Sequence, residues 1–249
     1  MWYNLYVDSY GDCMIKGVLI DLGKTVVSNR VIDFNSGLNE VYQLTDKRIS
    51  FEEYLKIHKN LFEVTFNYVR RVNNEMRITD YLIALNKLAN LKSDKTIEEL
   101  EDAFQKGLVD EELIVGIKDL LIFFKGKNIP VIAVSNSCVS SRALSKELEE
   151  FDVLKYFKMI ISSADIYIRK PRHEIFEYAI SQLKKVTGDY YIKNDEVIYI
   201  GNDYQCDVIG PKNIGMRAIW FNQNQEKDEF NLADLNINSY EELLKEFID

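Results

Sequence analysis

The chain has 249 residues, of which 47% are hydrophobic and 29% are charged, and its formal net charge at pH 7 is −9. This length and apolar content allow one large domain or two modest ones with a substantial core. The acidic balance argues against a nucleic-acid-binding protein and against docking on anionic lipid, because both need a basic surface. It does not exclude a small anionic ligand, since a local site can be positive on a negative protein.

The cysteines and the N-terminus bear on location. Cys13, Cys138 and Cys206 are widely spaced and form no CxxC pair, a usage typical of a reducing compartment. No apolar run approaches the roughly 18 to 20 residues of a membrane span. Residues 1–13, MWYNLYVDSYGDC, lack the basic and then apolar pattern of a signal peptide. We therefore expect a cytoplasmic protein without a membrane segment, in which residues 1–13 form a short extension.

The first predicted strand lies in the stretch KGVLIDLGKTVVSN, residues 16–29. Its apolar run from Val18 to Ile20 predicts a strand buried on both faces, and Asp21 follows where that strand ends. Ligand sites in open α/β sheets lie just beyond the carboxyl ends of strands. Aspartate is also a common turn residue. From this stretch alone, Asp21 is either a turn residue or the centre of a site.

A long helical block follows, from about Val31 to Gly107. Apolar residues recur at helical spacing in FEEYLKIHKNLFEVTFNYVRR and in MRITDYLIALNKLANL. SDKTIEELEDAF predicts a third helix, capped by Asp94 or Thr96. No strand signal interrupts the block, so it is predicted to be a separate helical unit.

The remainder of the chain alternates between strands and helices. DEELIVGIKDLLIFFKGKN predicts an amphipathic helix that ends at Gly126, and IPVIAVSN, YFKMIISS, EVIYIGND and RAIWF predict strands. This alternation is typical of a parallel α/β sheet with helices on both faces. Because the first strand precedes the helical block and the others follow it, the block is an insertion. Its position after the first strand places it over the ligand edge of the sheet, where a lid would lie.

Polar residues follow four of the predicted strands, whose carboxyl ends meet at one edge of a parallel sheet. In chain order they are Asp21, Gly23 and Thr25; Ser135 and Asn136; Lys170; and Asn202, Asp203 and Asp207. Carboxylate, amide and backbone oxygens suit Mg²⁺ better than zinc, and Mg²⁺ would offset the repulsion between an aspartate nucleophile and a phosphate dianion. Lys170 would neutralise charge on the phosphate or on the nucleophile, and Ser135 would bind a phosphoryl oxygen. Attack by the carboxylate on phosphorus would give an aspartyl-phosphate intermediate.

Four motifs in this order resemble the haloacid dehalogenase-like (HAD) superfamily: DLGKT, VIAVSN, RKPRHEIFEYAI and VIYIGNDYQCD. The resemblance covers residues 14–29 and 113–222. It implies a Rossmann-like α/β core at 14–29 and 111–249, an all-helical cap at 30–110, and Mg²⁺-dependent hydrolysis of a small phosphorylated metabolite. It assigns catalysis to Asp21, Ser135 and Lys170, phosphate binding to Thr25, Ser135, Asn136 and Lys170, and metal binding to Asp21, Gly23, Asn202, Asp203 and Asp207.

Two positions depart from the family pattern. A second aspartate usually stands two residues after the nucleophile and transfers protons, but this chain has Gly23 there. General acid–base help is worth about 10²–10⁴-fold, so we expect slow turnover of alkyl phosphates and faster turnover of aryl or acyl phosphates. A cap residue or Lys24 is a possible substitute. The second departure is Asn202, which stands where a metal-binding aspartate is usual.

Two other functions stay open at this point. A 2-haloacid dehalogenase-type hydrolase would use Asp21 on carbon without a metal, but that branch usually carries a tyrosine at the position of Gly23, and the pair Asp203 and Asp207 argues for a metal. A non-catalytic phosphate- or metal-binding protein would explain the lost acid, although the retained Asp21 and Lys170 argue against it. The substrate would be selected by the insertion, and we expect a monomer or homodimer.

Overall fold

Six parallel strands form the central sheet in a computed structural model that describes residues 15–248; the predicted extension at 1–13 lies outside these residues. The spatial order of the strands is β5–β4–β1–β6–β7–β8. Their bounds are β1 Gly17–Ile20, β4 Val131–Ser135, β5 Phe157–Ser162, β6 Val197–Gly201, β7 Arg217–Phe221 and β8 Leu235–Ile237. Every neighbouring pair in this sheet is parallel.

Helices cover both faces of the sheet. Both faces are apolar, because successive side chains of a strand point to opposite sides and the strands are largely apolar. Val18 and Ile20 pack into one apolar cluster, while Leu19 packs into a second cluster on the other face. The helices are α1 Phe34–Gln43, α2 Phe51–Arg71, α3 Ile78–Leu88, α4 Ile97–Leu108, α5 Ile117–Gly126, α6 Ser141–Glu150, α7 Ser163–Ile166, α8 His173–Thr187, α9 Gly210–Lys212 and α10 Tyr240–Ile248. The prediction of a Rossmann-like α/β core is confirmed.

Helices α1–α4 lie between β1 and β4 in the chain, and we call residues 34–108 the helical insertion. Thr96 is the N-cap of α4: it accepts from the Glu99 amide, and the Glu99 side chain bonds back. The first three helices meet around a ring cluster in which Phe34 lies 5.3 Å from His58 and 5.4 Å from Phe62, between ring centroids. The insertion therefore has an aromatic core.

Two antiparallel strands that the sequence did not predict connect the helical insertion to the rest of the chain. Strand β2 Val27–Ile32 pairs with β3 Val109–Leu113. The prediction of helical structure from Val31, and of a helix beginning at the segment DEEL, was therefore wrong, and α5 begins only at Ile117. The two strands stabilise each other although the whole helical insertion separates them in the chain. Local sequence patterns do not reveal such a pairing.

A second connection joins the insertion to the sheet domain. Between α2 and α3, Asn74 forms an isolated antiparallel bridge with Ile168, and the Glu75 amide donates to the Tyr167 carbonyl. The Glu75 carboxylate lies 3.2 Å from the Arg169 guanidinium and accepts from the Ser163 hydroxyl.

Among the described residues, no helix has the length and apolarity to cross a membrane.

Candidate active site

Asp21 lies at the carboxyl end of β1, in the middle of the sheet, with β4 on one side and β6 on the other. Its backbone amide donates to the Ile200 carbonyl of β6, so the strand pairing fixes the residue in place. The residue is 7% exposed. A carboxylate buried to this degree needs polar partners, because an unpaired buried charge is very costly.

Lys170 supplies the main partner. Its ammonium group lies 2.7 Å from Asp21 Oδ1, 2.7 Å from Asp207 Oδ1 and 2.7 Å from the Tyr199 hydroxyl. An ammonium group has three N–H donors, so all three are used within the protein. Of the two roles predicted for Lys170, this geometry favours neutralisation of the nucleophile over direct phosphate binding.

The electrostatics of the cluster follow from burial and proximity. Burial alone lowers the pKa of Lys170, but the carboxylates of Asp207 and Asp21 outweigh it and raise that pKa well above its ordinary value. Burial raises the pKa of Asp207 to about 7; Lys170 opposes the rise and Asp21 adds to it. The lysine is thus held in its charged form between the two carboxylates.

Asn136 holds Lys170 through the backbone. Its Nδ2 donates to the Lys170 carbonyl at 3.0 Å, and its Oδ1 accepts from the Lys170 amide at 2.8 Å. This paired contact gives the Asn136 side chain a positioning role, in addition to the phosphate-binding role predicted for it. Ser135, the last residue of β4, is 6% exposed and lines the cavity described below, in the place expected of a phosphate ligand.

Thr25 lies between the first and fourth motifs. Its hydroxyl is 3.3 Å from Asp21 Oδ2 and 3.3 Å from Asn202 Oδ1. One hydroxyl proton can serve only one of these acceptors at a time, so Asp21 Oδ2 is the less firmly bonded oxygen of that carboxylate. The Thr25 carbonyl accepts from the buried hydroxyl of Tyr240, which anchors the turn to α10.

The two aspartates of the fourth motif differ in their surroundings. Asp207 is 1% exposed, and its second oxygen accepts from the Asp203 amide at 2.9 Å. The Asp203 carboxylate instead accepts from the Cys206 amide and caps the following turn. Among the described residues, no group of three or more His, Cys, Asp or Glu side chains is arranged to hold a metal ion. The structure thus places Asp207 beside the same lysine as Asp21, whereas the Asp203 carboxylate bonds to a backbone amide of the turn that follows it.

A cavity of about 320 Å³ opens beside the cluster, between the sheet edge and the helical insertion. Leu22 and Gly23, which follow Asp21, line one end together with Ser135 and Asn136. The walls are largely apolar. They are formed by side chains from the insertion, the β2–β3 pair and α6: Ile32, Phe34, Phe62, Val69, Met76, Leu108, Val109, Leu144 and Leu148. Asp21 itself lies behind this end of the cavity.

Sequence reasoning missed two contributors. Tyr199 projects from the middle of β6, accepts from Lys170 and donates to the Val134 carbonyl at 3.1 Å. A tyrosine in an otherwise aliphatic buried strand was the available signal, since a buried hydroxyl needs a partner. The second contributor is the Glu75–Arg169 pair at the cavity wall, which no motif indicates because its members lie in different structural units.

Comparison with known proteins identifies the family of the chain. A family model described as haloacid dehalogenase-like hydrolase matches residues 38–221. The chain belongs to this hydrolase family. A curated relative is the ribulose-1,5-bisphosphate 5-phosphatase of Halopiger xanaduensis, 22% identical over 136 residues, which cover 54% of this chain and 53% of that protein. The match thus spans about half of the length of the relative.

Two solved structures resemble the whole molecule. The 2-haloacid dehalogenase of Pseudomonas syringae has a TM-score of 0.64 at 19% identity, with 93% of this chain and 97% of that chain covered. The HAD hydrolase YfnB of Bacillus subtilis, bound to magnesium, has a TM-score of 0.56 at 19% identity, with 94% and 99% covered. At these identities the likeness concerns the fold. The phosphatase and the dehalogenase among these proteins show that the family includes both chemistries.

Proposed function

We propose that this hydrolase is a Mg²⁺-dependent phosphatase that acts on a small phosphorylated metabolite through an aspartyl-phosphate intermediate on Asp21. The observation that carries the proposal is the buried Asp21–Lys170–Asp207 cluster, which adjoins Ser135 and Gly23 at one end of the cavity. Such a cluster prepares a charged carboxylate at a place that excludes bulk water. The helical insertion would act as the cap over residues 15–29 and 111–248, and the protein would act in the cytoplasm as a monomer or homodimer.

The charges of the cluster support a metal. Two carboxylates and one ammonium leave a net negative charge, which would repel a phosphate dianion. Asp21 Oδ2 and Asn202 Oδ1 both approach the Thr25 hydroxyl. With the Gly23 carbonyl they would supply oxygen ligands of the kind that Mg²⁺ prefers. Asp203 and Asp207 complete the predicted set, with Asp207 engaged by Lys170. When bound, Mg²⁺ would supply positive charge that draws phosphate towards the nucleophile.

The remaining steps belong to the side chains of this chain. The Asp21 carboxylate would form a bond to phosphorus while the bond from phosphorus to the leaving oxygen breaks, and Ser135 would hold a phosphoryl oxygen. Lys170 would orient the Asp21 carboxylate and offset its negative charge. Because Gly23 cannot give a proton to the leaving group, an alcohol or phenol with a low pKa would leave fastest. Water would then attack phosphorus and release phosphate from Asp21.

Phosphate release from a panel of phosphorylated metabolites, together with phenyl phosphate and acetyl phosphate, tests this proposal. The panel is run with Mg²⁺ and with chelator, on the wild-type protein and on Asp21→Asn. We expect release that requires both Mg²⁺ and Asp21, and that is fastest for the aryl and acyl phosphates. Equal rates for alkyl and aryl phosphates would overturn the role given to Gly23. No release from any compound would overturn the phosphatase assignment.

A 2-haloacid dehalogenase is the second candidate, since the Pseudomonas syringae structure shares this fold. Asp21 would then attack carbon and displace halide. Chloride release from 2-chloropropionate, measured in chelator, distinguishes it from the phosphatase. A non-catalytic binding protein would show Mg²⁺ binding with neither product.

A further inference from the structure

The far end of the cavity carries polar groups for which the phosphatase chemistry has no use. The cavity shares Gln105, Val109, Glu111 and Glu147 with a second, outer cavity between α4, β3 and α6. These four residues therefore lie between the inner and the outer cavity, and we call this place the passage. Gly23 and Ser135, beside the catalytic cluster, line the inner cavity and not the outer one.

Two acceptor atoms at this passage are buried without a hydrogen-bond partner among the described residues: Glu111 Oε2 and Gln105 Oε1. The Gln105 amide nitrogen donates to Glu147 Oε2 at 2.7 Å, so the amide oxygen is left turned away from that carboxylate. Burial raises the pKa of Glu147, and the charge of Glu150 adds to the rise. Buried acceptors without donors are rare in folded proteins, and an ordered water or a bound ligand can supply the missing donor.

The charge of the lining indicates which donor fits. Of the described residues that line the inner cavity, Arg169 alone is a cation, and its guanidinium is paired with Glu75 at 3.2 Å. The outer cavity has five acidic residues and two lysines along its wall, Asp102, Asp110, Glu111, Glu147 and Glu150 against Lys106 and Lys146. Lys146 is bonded to Asp102. The passage is thus suited to a cation, and a second phosphate would meet repulsion there.

We propose that the substrate is the phosphate monoester of an apolar alcohol or phenol that carries a protonated amine at its far end. The phosphate lies beside Ser135 and Gly23, the apolar body lies along Phe34 and Phe62, and the ammonium group donates to Glu111 and Glu147. This inference rests on the proposed phosphatase function and specifies its substrate class.

A matched pair of substrates tests the proposal. In 4-(2-aminoethyl)phenyl phosphate the leaving group carries an ammonium ion, whereas 4-propylphenyl phosphate has nearly the same shape and no charge. A charge-assisted contact is worth about 10- to 100-fold, so we expect kcat/KM to favour the amine by that factor. A ratio near one in the wild-type protein would overturn the proposal.

Variants test which carboxylates cause the preference for the amine. Glu111→Gln and Glu147→Gln should each reduce the preference for the amine and leave kcat/KM for 4-propylphenyl phosphate unchanged, which also shows that the variant is folded. Glu150→Gln is the matched control, because Glu150 is exposed and lines only the outer cavity. A preference that survives both substitutions would overturn the assignment of Glu111 and Glu147.

Binding separates this proposal from the phosphatase assignment. The affinities of 4-(2-aminoethyl)phenylphosphonate and 4-propylphenylphosphonate, measured by calorimetry, do not depend on turnover. Tighter binding of the amine without hydrolysis of either phosphate would contradict the phosphatase and retain the cation site. Equal affinities together with hydrolysis would retain the phosphatase and contradict the cation site.

Discussion

Lys170 stabilises the site because it places one positive charge between two buried carboxylates. Replacing it with methionine keeps an unbranched side chain one atom shorter, removes the charge, and leaves Asp21 and Asp207 facing each other without compensation. We expect Lys170→Met to lower the free energy of unfolding by about 3–5 kcal/mol, measured by denaturant titration. Tyr199→Phe removes one of its contacts and should cost about 1–3 kcal/mol. Equal, small losses in both variants would contradict the central position of the lysine charge.

Gly201 is a second residue whose identity the site requires. A Cβ atom added there would lie 2.4 Å from the Asp207 carboxyl carbon, so the carboxylate would have to move away from Lys170. We expect Gly201→Ala to reduce phosphatase activity by at least about tenfold and stability by about 1–3 kcal/mol. Gly126→Ala is the control, since nothing lies within 4 Å of its added Cβ. Full activity in Gly201→Ala would show that Asp207 does not need its observed position.

At the scale of elements, the packing of α2 in the insertion predicts a pH dependence of stability. His58 stacks on Phe34, its Nδ1 lies 2.7 Å from the Tyr81 hydroxyl, and burial lowers its pKa. The unfolded chain therefore takes up a proton first, near pH 6.5, and the contribution of His58 is present above that pH and is lost as the pH falls.

The measurement is the free energy of unfolding between pH 8 and pH 5 for the wild-type protein, His58→Gln and His173→Gln. We expect the loss on acidification to be smaller in His58→Gln than in the wild type. His173, an exposed histidine in the first turn of α8 that lies beside Glu174, is the control from outside the insertion. Parallel curves for all three proteins would contradict the account of the α2 packing.

The sequence predicted those elements whose signals are local. The run Val18–Ile20 followed by Asp21 predicted both β1 and the position of the carboxylate, and of the two predicted caps, Asp94 or Thr96, it is Thr96 that begins α4. The pairing of β2 with β3 was not predicted, because VDEEL has a charged centre and its partner VSNRVI lies some eighty residues earlier in the chain. The paired contact of Asn136 with the Lys170 backbone and the hydroxyl of Tyr199 are tertiary arrangements, and no spacing in the sequence encodes them.

At the scale of the whole molecule, one apolar cluster extends from the sheet into the helical insertion. It contains Val18 and Ile20 of β1 together with Tyr54, Leu82 and Phe104 of the insertion. We therefore expect the two parts to unfold in a single transition. In Trp2→Phe, fluorescence reports Trp220 in β7 and circular dichroism reports mainly the helices, so the two denaturation midpoints should coincide. Separate midpoints would show that the insertion unfolds independently.

The central claim is that Asp21 is the nucleophile, and trapping its phosphorylated form tests this most directly. Gly23 provides neither an acid for the first step nor a base for the second, so an aryl phosphate should phosphorylate Asp21 faster than water releases it. We predict a burst of one equivalent of phenol from phenyl phosphate, and conversion of Asp21 to homoserine, seen by mass spectrometry, when the reaction is quenched with borohydride. Steady phosphate release without a burst and with Asp21 unmodified would contradict the account.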